Sequence, residues 1–312
     1  MKHAFLILLL LTFAGSVRAQ TPARTMAVTF DDLPYVNFSG GPYVERGRAA
    51  TDKILSTLKK HNAPVVAFVN EGKLAGDDRK ARINLLRQWV NSGAILGNHT
   101  YSHPDFNRLT VEQFENQITS GEIVTRELMR SHAPYQLYFR HPLTHTGDTQ
   151  EKKEAIEKFL AARGYKITPH TIENSDFIFN VPYAEALQRH DDALAQRVRD
   201  AYVDFTIAAT EFAEKISPQL FGHEIPQILL IHANDLNGDA LDELLRRFEA
   251  RGYRFVTLDR VMADPAYQTK DTYVSTYGPT WLFRWAKSQG LNLDFSADPE
   301  PPKWVMDLYN KR

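Results

Sequence analysis

Short apolar runs alternate with amphipathic helical segments along most of this chain of 312 residues. Runs typical of buried strands lie at 26–30, 64–69, 94–97, 135–139, 166–168, 227–231 and 254–258. Helical spacing of apolar residues is found at 44–61, 81–91, 114–128, 151–163, 184–216 and 239–250. Strands that alternate with helices favour a parallel α/β architecture, and about seven such units favour a barrel over an open sheet. A Gly-x-Gly-x-x-Gly motif does not follow the first strand, so a dinucleotide-binding fold has little support.

The first 19 residues have the pattern of a secretory signal peptide. Met1-Lys2-His3 is followed by an apolar run at 4–15, and Val17 and Ala19 occupy the positions that signal peptidase reads. The apolar run is too short for a membrane span, which needs about 20 residues. We therefore expect cleavage after Ala19, no stable membrane insertion, and a periplasmic or secreted protein. The alternative is that this run forms a buried first helix.

The composition excludes several classes of function. The chain has no cysteine, which excludes a disulfide framework, thiolate metal ligands and a cysteine nucleophile. Any metal must therefore be held by histidine and carboxylate side chains. The net charge of −1 gives no support for a nucleic acid or an anionic membrane as partner. The oligomeric state is not fixed by the sequence.

Polar residues with site chemistry directly follow four of the predicted strands. These residues are Asp31, Asp32, His99, His103, Arg140 and His232. In a barrel the carboxyl ends of the strands meet at one rim, where active sites are built. The spacing His99-x-x-x-His103 has two readings: a histidine pair on a surface loop, or half of a metal site. A catalytic zinc site needs a third protein ligand and an open position for water.

These residues resemble the motifs of the polysaccharide deacetylases of carbohydrate esterase family 4. The matching motifs are Thr29-Phe30-Asp31-Asp32, His99-Thr100-Tyr101-Ser102-His103, Arg140-His141-Pro142-Leu143, Asp176-Phe177 and Leu230-Ile231-His232. The resemblance covers roughly residues 25–264 and implies a distorted (β/α) barrel of about seven units. It also implies a bound divalent metal, with Zn²⁺ as the first choice and Co²⁺, Mn²⁺ or Ni²⁺ as alternatives, and an acetylated glycan as substrate.

The resemblance assigns the metal-binding and proton-accepting roles as follows. Asp32, His99 and His103 would be the metal ligands, which gives the open pattern of a catalytic site. Asp31 would be the general base that takes a proton from water. Arg140 would hold Asp31 ionised and oriented.

The remaining roles concern the leaving group and the substrate pocket. His232 would be the general acid, and Asp176 would orient it, although Glu173, Asp191 and Asp192 are alternative partners. The backbone N–H near Leu143 would bind the oxyanion, and Leu230 and Phe177 would line the substrate pocket. Three positions depart from the family pattern. Leu33 replaces Gly and is expected to narrow the rim, Leu143 replaces Tyr, and Phe177 replaces Trp.

We predict three segments: a signal peptide at 1–19, a catalytic barrel at 20–264, and a C-terminal extension at 265–312. Residues 148–224 exceed what a minimal domain of this kind needs, so they are an insertion that shapes the substrate cleft or merely adds packing helices. The extension contains Trp281, Trp285 and Trp304. Packing of the first two onto the barrel is the favoured interpretation, and a sugar-stacking platform is the alternative.

The sequence thus predicts an exported metal-dependent hydrolase that removes N-acetyl groups from a polysaccharide or oligosaccharide. Three alternatives remain open at this point. The same site could serve an O-acetyl esterase acting on a xylan-like glycan or an amidase with a non-sugar substrate. The chain could also be a carbohydrate-binding module that has lost its activity.

Overall fold

The computed structural model describes residues 24–38 and 40–311 of the chain, so the expected signal peptide at 1–19 lies outside the described residues. The strands within this part are β1 (Arg24–Leu33), β2 (Val65–Val69), β3 (Ile95–Asn98), β4 (Leu137–Phe139), β5 (Tyr165–Ile167), β6 (Ile172–Glu173), β7 (Gln227–His232) and β8 (Tyr253–Phe255). The helices are α1 (Tyr43–Lys60), α2 (Arg79–Asn91), α3 (Val111–Ser120), α4 (Ile123–Met129), α5 (Gln150–Ala162), α6 (Asp176–Gln188), α7 (Asp192–Phe221), α8 (Asp235–Ala250), α9 (Leu258–Met262), α10 (Trp281–Ser288) and α11 (Lys303–Tyr309).

The strands form one parallel sheet in the order β5-β4-β3-β2-β1-β7-β6, and β8 pairs with the first residues of β1. β5 and β6 belong to one extended segment, residues 165–173. Its first part pairs with β4 and its second part with β7, so this segment connects the two edges of the sheet. The result is a distorted barrel with helices around it, and the predicted fold class is confirmed.

The burial of the strands explains why they form the centre of the molecule. Every residue of β2 is buried, as expected for a strand of a parallel sheet that is covered on both faces. The helix α1 has its buried residues, such as Ile54 and Leu58, on one face. The other predicted strands and helices appear within a few residues of their expected bounds. The strand predicted at 254–258 ends earlier in the structure, at Phe255 of β8. It cannot continue because Thr257 caps the N-terminus of α9 by accepting from the backbone N–H of Arg260.

The continuous helical spacing at 114–128 is interrupted in the structure. α3 ends at Ser120, and Gly121 packs so closely on the loop after β3 that an added Cβ would lie 2.5 Å from the carbonyl carbon of Thr100. α4 then begins anew, with the backbone N–H groups of Val124 and Thr125 bound by the carboxylate of Glu71 at 3.0 and 2.7 Å. A capping box of Thr110 and Gln113 is present at the start of α3.

The C-terminal residues pack onto the barrel through α10. Trp281 and Trp285 are buried, as the favoured interpretation of this segment expects, whereas Trp304 in α11 is half-buried and stacks on Arg197. The helical region predicted at 184–216 is divided between two helices in the structure, the end of α6 and most of α7. Among the described residues, no helix combines the length and the apolarity that crossing a membrane requires. The predicted boundaries at 19 and 264 stay predictions.

Candidate active site

A β-bulge at the end of β1 brings two adjacent carboxylates to the same cavity. Neighbouring residues of a regular strand point to opposite faces of the sheet. Between Phe30 and Leu33 the register with β2 shifts by one residue, and Asp32 has φ of 68°. A bulge of this kind redirects a side chain next to an active site. Asp31 and Asp32 therefore both line the cavity at the carboxyl ends of the strands.

The loop after β3 places both histidines beside Asp32. The Nε2 atoms of His99 and His103 lie 3.7 and 3.6 Å from Oδ1 of Asp32. The two imidazoles converge because Thr100 and His103 adopt left-handed backbone conformations, with φ of 67° and 56°, and not through a helical turn. The side chain of Asn98 supports this loop by accepting a hydrogen bond from the backbone N–H of Thr100 at 2.7 Å.

The donor set of Asp32, His99 and His103 fits a divalent metal. Their nearest ligand atoms all lie within 4.8 Å of one another. Oδ1 of Asp32 is buried and has no hydrogen-bond partner among the described residues, which is what a ligand atom facing a cation requires. Nδ1 of His99 lies 2.8 Å from the carbonyl oxygen of Arg140 and donates to it, so Nε2 keeps its lone pair for a metal. Burial lowers the pKa of His99 to about 4, which keeps the imidazole neutral, as a ligand must be.

Lys73 contacts the carboxylate of Asp32, although nothing in the sequence singles this lysine out. Its Nζ donates to the backbone carbonyl of Asp32 at 2.9 Å and lies 3.3 Å from Oδ2. Burial alone would raise the pKa of Asp32, but the charges of Lys73, His103 and His232 together hold it well below its ordinary range. Asp32 is therefore ionised at neutral pH and can act as a ligand.

Asp31 is held by a buried arginine on the side away from the histidines. Nη1 of Arg140 donates to Oδ1 of Asp31 at 2.7 Å and to Oγ1 of Thr29 at 2.8 Å. Nη2 of Arg140 donates to the carbonyl oxygen of Pro169, which belongs to the segment connecting the sheet edges. Oδ2 of Asp31 lies 3.7 Å from Nε2 of His99. One oxygen of Asp31 is thus fixed by the arginine, while the other faces His99.

His232 is paired with Asp176, one of the four partners that the sequence left open. Asp31 lies opposite His232 in the ladder between β1 and β7. Oδ1 of Asp176 lies 2.6 Å from Nδ1 of His232, and Oδ2 accepts from the backbone N–H of His232 at 2.7 Å. Asn234 and Asn237 also donate to Oδ2 of Asp176. Burial opposes the charged form, but Asp176 raises the pKa of His232 to about 9, so the imidazole is protonated at neutral pH.

The alternative partners of His232 have other contacts. Asp191 caps α7 by accepting from the backbone N–H of Leu194, and Asp192 is the first residue of that helix. Glu173 lines the cavity but accepts from the backbone N–H of Ser175 at 2.6 Å. Burial raises the pKa of Glu173 to about 7.

The cavity around these groups has a volume of about 470 Å³. Leu143, Leu230 and Phe177 all line it, whereas Arg140 and Asp176 lie fully buried behind Asp31 and His232. The predicted narrowing of the rim by Leu33 is wrong, because this side chain is completely buried in the core and does not contribute to the lining. His141 and Glu173, which were named from the sequence without being assigned to the pocket, line the cavity as well. The sequence did not single out the lining residues Phe38, Thr144, His145 and Gly278.

Comparison with known proteins gives one family match. Residues 18–152 match the family described as polysaccharide deacetylase. The peptidoglycan-N-acetylglucosamine deacetylase of Bacillus cereus is 26% identical over 239 residues, which cover 75% of this chain and 66% of that protein, just under two thirds of its length. The chitin deacetylase of Colletotrichum lindemuthianum is 22% identical over 253 residues, with coverage of 79% of this chain and 87% of that protein.

Two solved structures have a similar fold. A peptidoglycan N-acetylglucosamine deacetylase has a TM-score of 0.50 at 22% sequence identity, covering 77% of this chain and 88% of its own. The chitin deacetylase from Colletotrichum lindemuthianum has a TM-score of 0.50 at 21% identity, covering 78% of this chain and 90% of its own. At this level of identity the comparison supports the fold.

Proposed function

We propose that this chain, whose residues 18–152 match the polysaccharide deacetylase family, is a metal-dependent hydrolase that removes N-acetyl groups from a glycan. The observation that carries the proposal is the arrangement at the strand ends of the barrel. Three side chains that can bind a metal line one cavity together with a carboxylate held by Arg140 and an imidazole held by Asp176. Hydrolysis of an amide needs such a set: a Lewis acid, a base for water and an acid for the leaving amine.

Asp32, His99 and His103 are the proposed ligands, with Zn²⁺ as the first choice of metal. The bound metal would polarise the acyl oxygen and acidify a water molecule. Asp31 is the proposed base. Since its Oδ1 accepts from Arg140, its Oδ2 is the oxygen that takes the proton of the attacking water.

His232 is the proposed general acid. Because Nδ1 is held by Asp176, Nε2 is the ring atom that donates a proton to the leaving nitrogen. The water oxygen forms a bond to the acyl carbon, and the bond between that carbon and the nitrogen breaks. The products are acetate and a free amine on the sugar. The raised pKa of His232 supports this role, because the imidazole carries its proton at neutral pH.

We propose a glycan that contains N-acetylglucosamine as the substrate class. The support comes from the relatives, whose names describe deacetylation of peptidoglycan and chitin. Leu230 lines the cavity and would contact the acetyl methyl group, and Phe177 would form an apolar wall beside His232, with 6.4 Å between the ring centroids. Action on an extracellular or periplasmic polymer agrees with the signal peptide expected at 1–19.

The proposal is tested by metal analysis combined with acetate release. We expect the purified protein to bind about one Zn²⁺ and to release acetate from chitooligosaccharides or from peptidoglycan. The control is the same protein after removal of the metal with a chelator, which should lose activity and regain it on addition of Zn²⁺. Activity on acetylated xylan without activity on N-acetylated glycans would identify an O-acetyl esterase instead. Metal binding without hydrolysis of any of these substrates would contradict the proposal.

A further inference from the structure

We propose that residues 271–280, here called the wall segment, position the active-site turn Pro142–Thr144, and that Gly278 is a positioning residue for hydrolysis. The wall segment lies beyond the part of the chain that matches the family, yet Gly278 lines the same cavity as Asp31, Asp32 and His232. This inference rests on the proposed function, since it concerns the same reaction.

Gly278 lies directly against the backbone of the turn. A Cβ atom at this position would lie 1.9 Å from the carbonyl oxygen of Leu143 and 2.9 Å from Cβ of Thr144. Neither atom is the end of a flexible side chain, so any larger residue at 278 must displace the turn or the wall segment. The contact therefore fixes where the backbone of Leu143 lies relative to the cavity.

The turn itself has a conformation that needs outside support. Leu143 and Thr144 have φ of 55° and 57°, in the left-handed region that few residues other than glycine adopt. For a β-branched residue such as Thr144 this conformation is a genuine outlier. Backbone strain of this kind persists where the surrounding structure over-determines the conformation. The side chain of Leu143 is 51% exposed, so its own burial gives the turn little support.

A buried set of hydrogen bonds holds the wall segment against the barrel. Arg284 in α10 donates to Oδ2 of Asp271 at 2.7 Å and to Oγ1 of Thr146, just after the turn, at 2.5 Å. Lys153 in α5 donates to the same oxygen of Asp271 at 3.0 Å. In the middle of the wall segment, Asn107 donates to the carbonyl oxygen of Thr276 at 3.1 Å. The wall segment is thus tied to elements on both sides of the turn.

The position of the turn matters for the reaction because the backbone near Leu143 is the proposed donor to the oxyanion. Preorganised donors of this type contribute mainly to turnover, and loss of one costs about 10²–10³ in kcat. A misplacement of roughly 1 Å can cost on the order of 10² in rate. The proposed metal ligands are supplied by β1 and the loop after β3, and the atoms nearest to a Cβ at Gly278 belong to Leu143 and Thr144 instead. Displacement of the turn should therefore lower kcat without releasing the metal.

The test compares Gly278→Ala with Thr276→Ala, whose exposed side chain is removed while its backbone carbonyl stays. For Gly278→Ala we expect a kcat roughly 10- to 100-fold below that of the unmodified protein, with KM and Zn²⁺ content little changed. Thr276→Ala should keep the kcat of the unmodified protein. A kcat for Gly278→Ala equal to that of Thr276→Ala would overturn the inference, as would loss of zinc in parallel with activity.

A second variant keeps the test decisive if Gly278→Ala does not fold. Thr146→Val removes the acceptor of Arg284 beside the turn while preserving the shape of the side chain, and it should also lower kcat with KM unchanged. An unchanged kcat in this folded variant would then overturn the inference. A separate measurement is the backbone amide signal of Leu143 in NMR spectra, which should shift in Gly278→Ala and stay in place in Thr276→Ala. If the unmodified protein releases no acetate, the proposed function fails, while this shift still tests the positioning.

Discussion

Asp31 and Asp32 are adjacent, but their carboxylates have different surroundings. Oδ1 of Asp32 is buried, has no hydrogen-bond partner within the described part of the chain and lies beside two imidazoles, whereas Oδ1 of Asp31 is bound by Arg140. We expect Asp31→Asn to retain zinc and to lower kcat by about 10²–10⁴, the usual contribution of a general base. His99→Ala should lose the metal. Zinc content after dialysis and initial rates of acetate release measure both effects. Release of zinc from Asp31→Asn would show that the two carboxylates have the opposite roles.

The pairing of His232 with Asp176 predicts a titration that can be measured without substrate. In the metal-free protein we expect the imidazole of His232 to titrate near pH 9 by NMR, because Asp176 stabilises its protonated form. In Asp176→Asn the pKa should fall toward the unperturbed value of about 6.5. Asp191→Asn is the matched control, since Asp191 caps α7 and should leave the titration unchanged. A pKa near 6.5 in the unmodified protein would contradict the pairing.

The same shift makes stability depend on pH. The folded state holds the proton of His232 more tightly than the unfolded state does, since its pKa is raised from about 6.5 to about 9. The contribution of this proton to the free energy of unfolding is therefore fully present below about pH 6.5 and is lost as the pH rises through about 9. Asp176→Asn should remove this dependence, which denaturant unfolding at several pH values can measure. Equal pH dependence in both proteins would contradict this linkage.

At the scale of elements, α3 supports the loop that carries the histidines. The backbone carbonyl of Gln117 accepts from the N–H of Tyr101 at 2.9 Å, and that of Ile118 accepts from the side chain of Asn98. We expect Thr110→Ala, which removes the capping box, to lower the free energy of unfolding by about 1 kcal/mol. Thr119→Ala in the same helix is the control, and its exposed hydroxyl should contribute less than about 0.5 kcal/mol. Equal effects in urea denaturation would show that the capping box does not stabilise the protein.

The elements were largely predictable, and the local backbone at the site was not. Apolar runs and helical spacing located β1, β2, β7 and most helices, because burial leaves a periodic trace in the sequence. The bulge at Asp32 and the left-handed conformations at Thr100 and Leu143 leave no such trace, since they involve residues that ordinarily avoid φ above zero. The residues of the candidate site could therefore be identified from the sequence, but the backbone conformations that bring neighbouring side chains to one cavity could not.

Contacts between distant segments were the other limit. Lys73 looks like an ordinary surface lysine in the sequence, and its contact with Asp32 arises from the path of the turn after β2. Gly278 lies 246 positions after Asp32 in the sequence, yet both line the same cavity. A single chain carries no periodic signal for such long-range contacts. The expected motifs differ in this respect, because each follows a predicted strand and the barrel topology brings the ends of the strands together.

At the scale of the whole molecule, a buried ion cluster joins the C-terminal residues to the barrel. The side chains of Arg284, Lys153 and Asp271 are 2%, 3% and 11% exposed, and both cations bind Oδ2 of Asp271. This cluster holds the segment from Asp271 to Arg284 against the barrel beside the cavity. Two interactions therefore hold the C-terminal residues on the barrel: the apolar packing of Trp281 and Trp285, and buried ion pairs whose loss destabilises the folded state.

The buried contact between Arg284 and Asp271 is expected to stabilise the folded protein. Arg284→Met should lower the free energy of unfolding by about 3–5 kcal/mol, because removal of one partner leaves Asp271 buried beside a single remaining cation. Lys287→Met in the same helix is the control, since its side chain is exposed and its loss should matter by less than about 0.5 kcal/mol. Urea denaturation followed by circular dichroism measures both variants. A loss below about 1 kcal/mol in Arg284→Met, the range of exposed ion pairs, would mean that water reaches the cluster and that apolar packing of α10 alone holds the C-terminal residues on the barrel.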